Sequence, residues 1–423
     1  VDTIAALATA RGRAGVAVVR VSGPGAAAVA RGLAGTLPEP RIATLRRLQG
    51  AEGLIDSALV LWFPGPASFT GEDVVEFHIH GSPAVVAALL GAVLGLGVRA
   101  AEPGEFTRRA FEAGKLDLTQ VEALADLIDA ETEAQRRQAM RVLDGSAGRV
   151  VAGWREFLLD ALALCEASVD FADEDVPQDL GHQALALVEA LRGQLAAQIA
   201  GRHVAERLRD GFEVAIVGPV NSGKSTLLNA LSGREAAITS ARAGTTRDVI
   251  EVRMDIGGLA VTLIDTAGLR ETEDEVERIG IDRGQARARA ADLRIYLRGS
   301  PQDHPLPQAA DDLVVLSRAD LWGVPGVSAQ TGEGVPELLA LIEGRLARRT
   351  ADSALFARRR HFDRLERAEA HLGAAASHLQ GMTEWELAAE ELRLALRALD
   401  GLVGRVDVED VLGRIFASFC IGK

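Results

Sequence analysis

The chain has 423 residues, 48% of them hydrophobic and 25% charged, which allows about three ordinary domains and excludes a lone small module or a low-complexity chain. A net charge of −14 argues against a generally basic nucleic-acid binder, although it leaves room for a local arginine patch. Two cysteines, Cys165 and Cys420, make no disulfide framework and fit a reducing cytoplasm.

The apolar run Ala84 to Val98 is too short for a membrane span, so none is expected. Val1-Asp2-Thr3 lacks the basic lead of a signal peptide, and Cys420-Ile-Gly-Lys423 does not fit a lipidation motif. Lysine is scarce: only Lys115, Lys224 and Lys423 stand among 46 basic residues, and Asn221 and Asn229 are the only asparagines. A lysine that persists where arginine is abundant marks a position that needs a thin point charge rather than a planar fork.

Residues 1 to about 115 mix short β-like runs (Val16–Val21, Ala58–Phe63, Val74–Ile79) with Gly and Pro punctuation and one apolar helical stretch, an α+β texture. From 116 to 208 the punctuation thins, and Val121, Leu124 and Ile128 recur at helical spacing. From 209 to 347 the texture turns to strand, Gly-rich loop, helix and strand, as in a βαβ unit. Helical texture returns from 348 to 423, with Leu392, Leu396, Leu399 and Val403 in register. The organisation expected is multidomain: an N-terminal α+β domain, then an all-α domain interrupted by an inserted α/β domain. No internal repeat is visible.

Phe212–Val217 is a β-branched apolar run followed at once by Gly218-Pro-Val-Asn-Ser-Gly-Lys-Ser225 and a helix-forming segment, the setting of a P-loop. Backbone N–H groups there cradle phosphates, Lys224 reaches the β- and γ-phosphates, and Ser225 offers a hydroxyl to Mg²⁺. Asn221, Ser222, Gly223 and Thr226 belong to the same cradle. Val261–Ile264 reads as a second buried strand ending in Asp265-Thr266-Ala267-Gly268, with a carboxylate for Mg²⁺ and a glycine for the γ-phosphate. Gly244-Thr245-Thr246 lies between the two and favours GTP over ATP. After Leu313–Leu316 the guanine-binding pattern Asn-Lys-x-Asp appears as Ser317-Arg318-Ala319-Asp320. Asp320 can accept from guanine N1 and N2, and Arg318 can stack on the base. Ser317 lacks the amide that braces the loop and faces N7, so weaker guanine affinity is expected. Ser328-Ala329 fits the remaining base loop. Leu269 stands where Ras-like enzymes carry a water-orienting glutamine, so another residue takes that role.

Together these motifs resemble the MnmE (TrmE) family of tRNA-modifying GTPases. So do Asp2-Thr-Ile-Ala, Ser68-Phe-Thr-Gly-Glu-Asp73, Pro103-Gly-Glu-Phe106, Lys115-Leu-Asp-Leu118, Asp274-Glu-Val-Glu-Arg-Ile-Gly280 and the terminal Cys-Ile-Gly-Lys. The resemblance implies a cytoplasmic homodimer that hydrolyses GTP with K⁺ activation. It also implies a flavoprotein partner, MnmG (GidA), which carries FAD, and modification of carbon 5 of the wobble uridine of tRNAs. It assigns K⁺ to Asn221, Ser240, Arg242 and Thr245, Mg²⁺ to Ser225 and Thr246, and water activation to Glu277. A 5-formyl-tetrahydrofolate site is assigned to Arg20, Glu76, Lys115 and Lys423, whose charges suit a glutamate tail and a donor-rich pterin ring.

Three features stay open on sequence alone. Cys420 reads either as a reactive thiol or as a small packed residue. His78 and His80 share a strand face, but without a third ligand they fit structure better than a metal site. The arginines between 345 and 367 could face tRNA phosphates or solvent. A regulatory or ribosome-assembly GTPase, and a folate-dependent one-carbon transferase regulated by GTP, are the alternative functions.

Overall fold

The computed structural model describes residues 2–170, 180–233, 251–265, 286–303, 310–350, 355–381 and 384–406, and near the end 412, 413, 415, 416, 419 and 422. These residues form two compact units, 1–125 with 399–423 and 126–398.

The first unit is built on a six-stranded sheet of order β3-β4-β5-β2-β1-β6. Its strands are β1 (Ile4–Leu7), β2 (Ala14–Ser22), β3 (Thr44–Gly50), β4 (Gly53–Phe63), β5 (Val74–Gly81) and β6 (Arg99–Ala100). Side chains alternate across a strand. Thus Val19, Val21, Val75, Phe77 and Ile79 point into the core, where α1 (Ala26–Ala34) and α2 (Pro83–Gly95) bring Val29, Leu33, Leu89 and Val93 against them. The same alternation puts Arg20, Glu76 and His78 on the opposite face. The three strand runs read from sequence lie inside β2, β4 and β5, whereas β1, β3 and β6 were not foreseen.

A partly buried ion network, with Arg109 and Glu105 at its buried centre, closes this unit. From α3 (Glu105–Glu112), Arg109 donates to Glu105 at 3.0 Å, to Asp2 at 2.7 Å and to Glu72 at 3.1 Å, while Arg99 holds Glu105 at 2.6 Å. Burial disfavours the Glu105 charge, but donors from Arg99, the Glu102 N–H and Arg109 more than offset this and hold its carboxyl below the usual carboxylate range. With the folded pKa depressed, the stabilisation is present above the ordinary carboxylate range and fades as pH falls through the lowered value. Near the chain end, Phe416 and Phe419 pack with Val121, and Gly422 lies so close to β1 that a Cβ there would sit 2.0 Å from the Leu7 carbonyl.

The second unit holds α5 (Glu133–Leu143), α6 (Ser146–Asp170), α7 (Leu180–Ala200), α8 (Arg202–Asp210), α12 (Arg359–Gly381) and most of α13 (Trp385–Val403); α4 (Leu118–Asp129) and α13 each run across the division. Trp154 of α6 stacks obliquely on Phe356 at 5.7 Å, and its indole N–H donates to Gln194 at 2.9 Å. Between α8 and α12 the chain forms a five-stranded sheet of order β11-β10-β7-β9-β8. Four strands are parallel: β7 (Phe212–Val217), β9 (Leu259–Asp265), β10 (Leu293–Arg298) and β11 (Leu313–Leu316). The edge strand β8 (Glu251–Ile256) is antiparallel to β9. Among the described residues the helices α9 (Lys224–Ser232), the short α10 (Ala319–Trp322) and α11 (Val335–Arg349) accompany it, and 286–290 are helical as well. The helical scaffold grips this sheet at the amino ends of its strands. Asp292, whose side chain is 1% exposed, lies 3.0 Å from both His203 and Arg207 of α8 and accepts from the Glu213 N–H at 2.8 Å.

Replacing Arg109 by Ala removes the cation shared by Glu105, Asp2 and Glu72 and leaves Glu105 to Arg99 and the Glu102 N–H; a loss of about 1.5–3 kcal/mol, the worth of a hydrogen bond to a charged group, is expected in urea unfolding. A loss below about 1 kcal/mol would show that the network behaves as a solvated surface pair.

Candidate phosphate and purine site

The central strand β7 delivers the chain into the loop 218–223 at the carboxyl edge of the parallel sheet, where open α/β sheets bind ligands. Two constraints shape this loop. A Cβ on Gly218 would lie 2.5 Å from the Leu297 carbonyl of β10, so only glycine lets the loop hug the neighbouring strand. Gly223 has φ 90°, the left-handed conformation that turns the chain into α9 without a Cβ penalty. Asn221 also takes a left-handed φ of 63°. The loop therefore ends on a helix N-terminus, whose free N–H groups attract anions.

Lys224, 6% exposed, donates to the carbonyls of Gly218 at 2.9 Å and Pro219 at 2.8 Å, so its ammonium lies inside the curve of the loop. Burial lowers the pKa of this ammonium, and the Asp265 carboxylate opposes the shift. Beside it, the Ser225 hydroxyl donates to Asp265 at 2.6 Å. The pairing follows from sheet order, because β7 and β9 are neighbours with Ile216 opposite Asp265. A hydroxyl and a carboxylate side by side are the hard oxygen donors that suit Mg²⁺.

Next to the loop lies a cavity of about 150 Å³ whose walls include Gly223, Leu297, Ser317, Arg318, Asp320 and Ala329. Thr226 and Ser328 also line it, so the cavity gathers the expected base-binding residues around one space. One expectation needs correction. Ser317 does brace the loop, because its hydroxyl lies 2.5 Å from the Ser222 carbonyl and 3.0 Å from the Arg298 carbonyl. A shorter side chain reaches the same backbone because β11 ends directly beside the P-loop. Arg318, at φ 58°, sends its guanidinium to the Asn221 carbonyl.

In the first unit, Arg20 and Glu76 face each other across β2 and β5 and join at 2.8 Å. Glu76 also meets His78 at 3.2 Å, so the three side chains join on the sheet face opposite the core. Arg20 lies 5.6 Å from the Phe69 ring and 5.7 Å from the Phe106 ring. Lys115 approaches the same loop at Gly71, where a Cβ would lie 3.5 Å from its side chain. His80 pairs with Asp56 at 2.8 Å, and among the described residues no cluster of three metal-ligating groups occurs. Arg345, Arg349 and Arg358 make ion pairs with Asp311 and Asp126. Ser240, Arg242, Gly244, Thr245, Thr246, Thr266, Ala267, Gly268, Glu277, Cys420 and Lys423 lie outside the described residues. Sequence reasoning missed the bracing role of Ser317, which depends on strand neighbours distant in the chain, and the His78–Glu76 contact, made between alternate residues of β5.

Two family models match this chain. One, the MnmE helical domain, covers residues 118–420, and the other, the GTP-binding protein TrmE N-terminus, covers residues 3–115. A protein of Cereibacter sphaeroides named tRNA modification GTPase MnmE is 58% identical over 100% of both chains. Proteins of the same name from Roseobacter denitrificans and Phenylobacterium zucineum are 54% and 52% identical, again over 100% of both chains. A solved structure of Aquifex aeolicus Era superposes with a TM-score of 0.26 at 23% identity, covering 38% of this chain and 66% of that one.

Replacing Lys224 by Ala removes the one ammonium held inside the loop. Affinity for a nucleoside triphosphate is expected to fall about 10- to 150-fold, the range for hydrogen bonds to a charged group. Titration with a fluorescent nucleotide measures this, and an unchanged affinity would remove Lys224 from the site.

Proposed function

The chain belongs to the MnmE family of tRNA modification GTPases, and on that premise we propose a K⁺-activated GTP hydrolase that works with an FAD-containing partner on carbon 5 of the wobble uridine. The hydrolase activity in tRNA modification comes with the family. The observation that supports it most directly is the P-loop at the carboxyl edge of β7, with Lys224 inside its curve and Ser225 2.6 Å from Asp265.

In this reading water attacks the γ-phosphorus of GTP and the bond to the β-phosphate oxygen breaks, releasing GDP and phosphate. The loop N–H groups and Lys224 hold the β- and γ-phosphates, where the transition state carries its charge. Ser225 and Asp265, with Thr246, would hold Mg²⁺, which neutralises phosphate charge when bound. Asn221, Ser240, Arg242 and Thr245 would hold K⁺ beside the phosphates. An arginine finger supplies about 10³–10⁵ in rate, a load that a cation placed there can carry. Glu277 is the proposed water-orienting group in place of Leu269. Asp320, Arg318, Ser328 and Ala329 select the base.

The limits proposed for the domains are 1–115, 116–208 with 348–423, and 209–347 for the inserted nucleotide domain. In the first of these, Arg20, Glu76 and Lys115, with Lys423, are proposed to bind 5-formyl-tetrahydrofolate. Their support is the charged cluster under Phe69, which offers cations to a glutamate tail and a carboxylate to a pterin. The proposed assembly is a homodimer joined by the flavoprotein MnmG (GidA), which carries FAD; this assembly acts on tRNA in the cytoplasm. Among the described residues no helix is long and apolar enough to cross a membrane.

Hydrolysis of GTP is expected to be faster in K⁺ than in Na⁺ at matched ionic strength, and equal rates would refute the K⁺ site. Mass analysis of wobble uridine from cells lacking the protein should show the unmodified nucleoside. Unchanged nucleosides would instead favour a switch without a modification role.

A further inference from the structure

The inference rests on reading this cavity as a guanine-nucleotide site: we propose that the site does not read N7 of the base, and that it selects guanine through the N1 and 2-amino edge facing Asp320. Ser317 decides this. It follows β11 directly, is 7% exposed and lines the cavity. Its hydroxyl lies 2.5 Å from the Ser222 carbonyl and 3.0 Å from the Arg298 carbonyl. Both neighbours are acceptors, so the single hydroxyl proton is spent on one of them. A carboxamide at this position would carry two N–H donors, enough to brace the loop and still donate to N7. Serine must choose, and the geometry spends its proton on the brace.

Other donors line the cavity, Thr226, Ser328 and Gln330 among them, but none stands at the position that directly follows β11. Arg318 sends its guanidinium to the Asn221 carbonyl. The Ser222 hydroxyl is buried and, among the described residues, without a hydrogen-bond partner, but Ser222 is not part of the cavity wall and packs beside Gly218 and Gly299. Gln330 stands at the cavity on an exposed turn. The two side chains at 317 and 318 thus clamp the base loop onto consecutive P-loop carbonyls, 221 and 222, and Asp320 is left to recognise the base.

The test is a titration of the full chain with GTP, 7-deaza-GTP, ITP and ATP. GTP and 7-deaza-GTP are expected to bind within about twofold of each other. ITP, which lacks the 2-amino donor to Asp320, should bind about 10- to 150-fold more weakly, the range for a hydrogen bond to a charged group. Ser317→Asn should create a preference for GTP over 7-deaza-GTP of about three- to tenfold, the worth of one neutral hydrogen bond. Ser317→Ala should weaken both alike and leave their ratio near one, a result that stands even where the Asn variant fails to fold. A wild-type preference for GTP over 7-deaza-GTP of about threefold or more would overturn the proposal and point to another donor such as Gln330. Equal binding of GTP and ATP would instead sink the guanine-nucleotide reading itself.

Discussion

The nucleotide site depends on a steric constraint at Gly218, where the chain leaves β7 so close to β10 that any Cβ would meet the Leu297 carbonyl at 2.5 Å. That approach lets six residues curl into a cradle before α9 begins, and it places the cradle at the carboxyl edge of a parallel sheet. From there the remaining parts fall into reach without further design. The neighbouring strand β9 ends at Asp265 beside Ser225, and β11, one strand further out on the other side, is followed at once by Ser317 beside Ser222. The candidate phosphate and base residues are thus brought together by strand adjacency rather than by closeness in sequence.

The opposite edge of the same sheet has a different task. Asp292 binds the start of β7 through the Glu213 N–H and meets two basic side chains of α8. Gln135 of α5 donates to the Arg209 carbonyl at 2.8 Å, and the Ala134 N–H donates to Gly258 at 3.1 Å. The helical scaffold therefore holds the inserted domain at the amino ends of its strands and leaves the carboxyl ends open to a nucleotide.

The lysines illustrate how far residue choice can be read. Lys224 sits 6% exposed between two backbone carbonyls, a space for a compact ammonium on a thin stem. Lys115 lies against Gly71, in the loop that also carries Phe69 over Arg20. In the base loop, by contrast, arginine replaced lysine and still reached a P-loop carbonyl, because at that exposed place a longer planar group has room.

Local patterns in the chain were sufficient for the strands β2, β4, β5, β7, β9 and β11, the helical stretches and the P-loop, since alternation, helical spacing and glycine placement act over a few residues. The short strands β1, β3 and β6 were illegible. β6 has two residues and β3 alternates without strong apolar content, so their pairing is decided by neighbours already in the sheet. The candidate residues Asn221, Lys224, Ser225, Asp265 and Asp320 were legible because their chemistry is tied to motifs of fixed spacing. The work of Ser317 was not, since its two acceptors lie 95 and 19 residues away in the chain. The sequence by itself determined which chemical groups the protein possesses and in what order. Only the tertiary structure decided which backbone carbonyl each donor meets, because that depends on how strands remote in sequence are placed side by side.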